Sequence, residues 1–133
     1  MIRPAQLEAV LARDPLWRPT EQEVAPLAAE ADRAGAPDVL CQEVRWWRAF
    51  RAAERKDWEE ASRLAEVGLG EPFSEREAVR IAFLHCLSGD LAAAEHSIAQ
   101  AVQTASDESL PHRFAAWCRR EGQLEAAERF GRV

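Results

Sequence analysis

Asparagine and tyrosine are absent from this chain, and lysine occurs once, at Lys56. Arginine carries the positive charge instead, a bias seen in GC-rich bacterial genomes and compatible with avoidance of labile asparagine. No apolar run reaches the roughly 20 residues needed to span a bilayer. The amphipathic stretch behind Met1-Ile2-Arg3-Pro4 has no apolar signal core, so a cytoplasmic location with no membrane partner is expected. Cysteines are few: Cys41, Cys86 and Cys118 are odd in number, widely spaced and set in helical patterns. They fit small buried hydrophobes in a reducing compartment. Also missing are a glycine-rich phosphate loop, a serine elbow, a metalloprotease helix motif and any Cys-x-x-Cys or His-x-x-x-His pair. The expectation is a protein that is not an enzyme and has no metal and no cofactor.

The 133 residues suffice for one core. Lys+Arg number 17 against 23 Asp+Glu, a formal net of −6, so a polyanion is not the expected general partner. The balance is uneven. From Ser109 onward Arg113, Arg119, Arg120, Arg129 and Arg132 face three glutamates, a net of +2 that leaves −8 for the rest. That basic end is a candidate docking feature.

What is present is an internal repeat. Lys56-Asp57-Trp58-Glu59-Glu60-Ala61, Gly89-Asp90-Leu91-Ala92-Ala93-Ala94 and Gly122-Gln123-Leu124-Glu125-Ala126-Ala127 superpose at a constant offset of 33 residues. Such a period marks stacked helix-turn-helix units, each too small to bury its own apolar face. The pattern resembles the tetratricopeptide repeat over residues 42–133. Trp58, Leu91 and Leu124 match its large apolar residue after the turn, and Ala61, Ala94 and Ala127 its small residue where paired helices come close. Ile81-Ala82 and Phe114-Ala115 match the apolar-small pair of the first helix. The first copy departs with Arg48-Ala49, Lys56 replaces the turn glycine, and His85 and Cys118 stand where the family usually has a large aromatic. The resemblance implies an all-α domain of about eight helices, in antiparallel pairs stacked into a right-handed superhelix. Its units would be 37–70, 71–106 and 107–133, preceded by a degenerate first pair over 1–36. It also implies a non-catalytic adaptor. The family's carboxylate clamp of lysines and asparagines has no counterpart here, since Asn is absent and the one Lys sits at a turn.

The punctuation agrees with helices throughout. Leu7, Val10 and Leu11 have helical spacing within 4–13. Thr20 with Glu23 forms a capping box for a helix to about Ala34, in which Pro26 should act as a kink or delay. Pro37 starts a long helix to about Arg55, and its partner runs from Trp58 to Gly68-Leu69-Gly70. Ser74 with Glu77 caps a helix to Leu87. Asp90 to Thr104, Leu110 to Arg120 and Gln123 to Gly131 complete the set. The segment Ile81–Leu87 is apolar nearly all round, which demands cover on more than one side.

Two surfaces stand out as binding candidates. Trp46 and Trp47 are neighbours and cannot both face one core, because successive side chains on a helix diverge widely. Superposed on the family's groove, Trp46 falls beside Val79 and His112, and Phe50 beside Phe83, with Arg119 and Arg120 continuing the face. Aromatics with arginines are the usual anchors of protein interfaces, so these seven residues form the expected groove for a protein or peptide partner. The competing reading has them packed against the N-terminal helices. Trp46 and Trp47 interleaved with Arg45, Arg48 and Arg55 also suggest an alternative, a small regulatory module for single-stranded nucleic acid, which the surrounding acidic residues oppose. The second surface is the terminal pair. Phe114, Trp117, Leu124 and Phe130 exceed what one neighbour can cover, so a two-fold homodimer through these helices is expected. His85, Cys86 and Cys118 read as core packing.

Overall fold

The computed structural model describes residues 4–17, 19–36, 38–68 and 75–131. Among them are eight α-helices and no strand. They gather into two compact units, Met1–Leu69 and Gly70–Val133, each taken by itself below.

In the first unit, α1 (Pro4–Arg13), α2 (Glu21–Ala31) and α4 (Trp58–Gly68) all pack on α3 (Asp38–Glu54). Leu40, Val44 and Trp47 lie at i, i+4 and i+7 on α3. They join Leu7 and Leu11 of α1 and Leu27 and Ala28 of α2 in one buried cluster. Each large member contributes about 1.5 to 3 kcal/mol by leaving water. Within 1–36, expected to form a degenerate first pair, α1 and α2 each pack more on α3 than on one another. The reason is that each offers only a short apolar stripe, and the broad face of α3 accepts both.

At the start of α2 the Glu23 carboxylate accepts from the Thr20 backbone N–H at 3.3 Å and from the Thr20 hydroxyl at 2.7 Å. The helix continues through the exposed Pro26. Pro37 and Ser74, expected to open helices, lie outside the described residues.

The second unit holds α5 (Glu75–Ser88), α6 (Leu91–Ala105), α7 (Leu110–Arg120) and α8 (Leu124–Gly131). Here α5 pairs with α6 and α7 with α8, while α6 also meets α7. Within Ile81–Leu87, Ala82, Phe83 and Cys86 are buried and the other four are half-buried. None of them is exposed, as an apolar circumference requires.

The turns that close the three hairpins are the same turn. Lys56, Gly89 and Gly122 have φ of 64°, 84° and 80°, the left-handed region. Their N–H groups donate to Ala53, Cys86 and Arg119 carbonyls at 2.9, 3.1 and 3.1 Å. The next N–H groups, of Asp57, Asp90 and Gln123, reach back to Ala52, His85 and Cys118 at 2.8, 2.9 and 2.8 Å. This is the Schellman arrangement, which satisfies the last carbonyls of the first helix. The same three residues then open the second helix, their carbonyls accepting from Ala61, Ala94 and Ala127 N–H. Those alanines are buried, as are Ala49, Ala82 and Ala115 at one register position of the first helices. An added Cβ at Gly89 would meet nothing within 4 Å. Backbone conformation alone therefore sets its cost, and Gly89→Ala should lose about 1 to 2 kcal/mol. Lys56→Gly should gain about 0.5 to 1 kcal/mol, the left-handed strain relieved less the extra chain entropy. Thermal melts of the two variants check both signs; a stabilised Gly89→Ala would contradict this account of the turn.

Candidate interaction surface

Of the seven residues expected to line a groove, four are closed off. Trp46 is 1 % exposed, and Phe50, Val79 and Phe83 are equally buried. The Trp46 and Phe50 rings lie 6.1 Å apart on successive turns of α3. Trp47 is buried too. Its indole Nε1–H donates to the Trp17 carbonyl at 3.2 Å, and its ring meets the Trp17 ring edge-on at 5.8 Å. The adjacent tryptophans do not share one core: Trp47 belongs to the cluster with α1 and α2, and Trp46, outside that cluster, lies near Phe50, so both are buried because α1, α2 and α4 all pack on α3. Neither ring is offered to nucleic-acid bases, although Arg45, Arg48 and Arg55 are exposed.

The remaining three, His112, Arg119 and Arg120, are exposed on α7. Where α5 carries Val79, Phe83 and Cys86, the corresponding positions of α7 are His112, Ala116 and Arg119. On this face the repeat thus changes from buried apolar residues to exposed ones, two of the three polar. The final carbonyls of α7 are already taken by the turn. Arg119 and Arg120 are therefore not needed as hydrogen-bonding caps.

The residues expected to self-associate divide similarly. Phe114 and Phe130 are buried against each other, ring centroids 4.8 Å apart and planes at 83°. Trp117 is half-buried beneath the Arg113 guanidinium, which lies 5.8 Å from the ring centroid. Leu124, expected in the self-association surface of the terminal pair, is 65 % exposed, whereas its counterpart Leu91 is 9 % exposed. The difference follows from neighbours, since α6 also meets α7 while the principal neighbour of α8 is α7 alone. Trp58, at the same turn position, is 37 % exposed.

The basic end is largely answered by carboxylates of its own chain. Arg113 bonds Glu75 at 2.8 Å and also Asp107, Arg120 meets Glu121 at 2.9 Å, and Arg129 pairs with Glu95. Arg132 lies outside the described residues. Hydrogen bonds from the Ser109 hydroxyl and N–H, with Arg113 behind them, hold the Asp107 carboxyl below its ordinary value. A carboxyl with a lowered folded pKa adds stability above its unfolded pKa, near 3.8, and loses it as pH falls through the folded value. Asp107→Asn should accordingly lower Tm at pH 7 and make almost no difference near pH 2. An equal gap at both values would show that the carboxylate charge is not the cause.

Cys41, Cys86 and Cys118 are free thiols, the last two buried. A side-chain hydrogen bond with Cys86 and burial push the Cys118 thiol well up, away from the reactive thiolate. Among the described residues no group of three or more His, Cys, Asp or Glu could hold a metal. Nor does any buried side-chain nitrogen or oxygen among them lack a hydrogen-bond partner. The sequence pattern does not single out Glu43 and Arg80, both buried. The one available signal was the position of Arg80 between Val79 and Ile81, inside an apolar run.

No protein-family model matches the chain, and no curated protein or solved structure matches it. No helix among the described residues is long and apolar enough to cross a membrane.

Proposed function

We propose that this chain is a tetratricopeptide-like helical-repeat scaffold, working without catalysis in the cytoplasm, that binds a segment of another protein or a second copy of itself. One observation carries the reading. The same left-handed turn, with the same pair of backbone hydrogen bonds and the same buried alanine, recurs at positions 56, 89 and 122. Repeated hairpins with constant turns and variable faces are how interaction scaffolds build a surface from neighbouring units. The accessible part of that surface is the polar face of α7 with His112, Arg119 and Arg120, together with Leu124 and the half-buried Trp117. Phe114 and Phe130, buried against each other in the same hairpin, shape it from beneath.

Two measurements test this. Tagged protein recovered from its native cell should retain a discrete protein through nuclease and high-salt washes. Recovery of nucleic acid alone, released by salt, would instead favour the single-strand reading. Light scattering at micromolar concentration should separate the two kinds of partner, since self-association gives about twice the 14.9 kDa chain mass and Trp117→Glu should then halve it. A strict monomer that retains no protein would sink the scaffold reading.

A further inference from the structure

Cys86 and Cys118 lie on different helices of the second unit, each the third residue from the C-terminal end of its helix, α5 or α7. Their thiols share a hydrogen bond. Contacts elsewhere fix this meeting. At the opposite end of the same two helices, Arg113 in the first turn of α7 bonds Glu75, the first residue of α5, at 2.8 Å. Start therefore lies by start and end by end. The backbones that carry the two sulfurs are pinned by the turns that follow them: the Cys86 carbonyl accepts from Gly89 N–H at 3.1 Å, and the Cys118 carbonyl from Gln123 N–H at 2.8 Å.

A single buried thiol is ordinarily a small hydrophobe. Two that touch across a helix boundary differ, because removing two hydrogens joins them covalently. Cys118 is fully buried, whereas Cys86 keeps 5 % of its surface. Helix ends also open more readily than helix centres, so a small oxidant reaches Cys86 first. The hydrogen bond and burial hold Cys118 in its protonated form, which suits it to respond second. Cys41 belongs to the first unit, where its thiol donates to the Ala31 carbonyl at 3.4 Å, and takes no part.

We propose that Cys86 and Cys118 are an oxidation site, forming a reversible disulfide in the presence of hydrogen peroxide that staples the α5–α6 hairpin to the α7–α8 hairpin. The Cys86 sulfur attacks one peroxide oxygen and the O–O bond breaks. The departing hydroxide takes the thiol proton and leaves as water, and Cys86 is left as a sulfenic acid. The Cys118 sulfur then attacks the Cys86 sulfur, and the displaced hydroxide leaves with the Cys118 proton as a second water. Two thiols are oxidised to one disulfide and one peroxide is reduced to two waters. The last turn of α7, with Arg119 and Arg120 exposed beside Cys118, is thereby tied to α5. This inference stands independently of the scaffold reading.

The test treats the full native chain with a small excess of hydrogen peroxide and digests it with trypsin without reduction. Peptides 81–113 and 114–119, which carry Cys86 and Cys118, should be recovered joined. Intact mass should fall by two hydrogens, and dithiothreitol should restore it. Oxidation should also raise Tm by about ten degrees in the parent and in Cys41→Ala, because the cross-link closes a long loop in the unfolded chain. Cys86→Ala and Cys118→Ala should show no such rise. If either of these variants fails to fold, the peptide map of the parent decides alone. A linked pair that includes Cys41, chains joined to each other, or oxygen added to Cys86 without a link would overturn the proposal. So would a disulfide that forms only after unfolding in urea, or one that lowers Tm.

Discussion

Trp46→Ala should destabilise the protein by about 3 to 5 kcal/mol, the usual cost of deleting a large buried aromatic. The side chain is 1 % exposed and stacks obliquely near Phe50, so its removal leaves a cavity as well as lost burial. A drop in Tm of roughly ten degrees or more is the corresponding readout for a chain of this size. Arg48→Ala, two residues along on the exposed side of α3, should change stability by less than about 0.5 kcal/mol and serves as the control. The outcome matters for function. A Trp46→Ala protein that melted like the parent would mean that the indole is available to a partner and that the aromatic groove is open after all.

The second large effect is expected at the other end of the chain. Phe114→Ala should cost about 3 to 5 kcal/mol, of which about 0.5 to 1.5 kcal/mol reflects the edge-to-face contact with Phe130. Leu124→Ala should cost no more than about 0.5 kcal/mol, because most of that side chain is in water already. Urea titration of the two variants separates them. Phe114 belongs to the fold and Leu124 to the surface, so any loss of partner binding in Leu124→Ala at unchanged stability reports an interface directly. If Phe114→Ala proved neutral and Leu124→Ala damaging, the assignment of inward and outward faces on this hairpin would be reversed.

Much of the hairpin architecture was legible in the chain because it is written locally. A left-handed residue, an N-cap and a small residue four places further on are determined within about one turn of helix, and the offset of 33 residues exposes them by repetition. Even the departure at Lys56 left the turn intact, since the backbone hydrogen bonds that close it do not depend on the side chain. Helix limits followed for the same reason, with α7 spanning Leu110–Arg120 as its spacing implied. The candidate surfaces were less legible. Periodicity shows that Trp46 and Trp47 point in different directions, but not that α3 has neighbours on several sides. Likewise Leu91 and Leu124 share one register position and differ in exposure because of what lies beside α6 and α8, which neither segment encodes alone.

The amino-acid sequence by itself determined the helical class, the number and extent of the helices and the chemistry of the three turns. These depend on capping, glycine or left-handed geometry and apolar spacing, all short-range effects within the reach of neighbouring residues. Tertiary structure alone decided which faces stay in water. It placed α1 and α2 more on α3 than on each other, buried both tryptophans, closed Phe114 against Phe130, left Leu124 and the α7 arginines outside, and brought the Cys86 and Cys118 thiols together. The physical reason is that burial is a sum over all neighbours of a side chain, most of them distant in sequence, whereas a turn is closed by residues only a few positions apart.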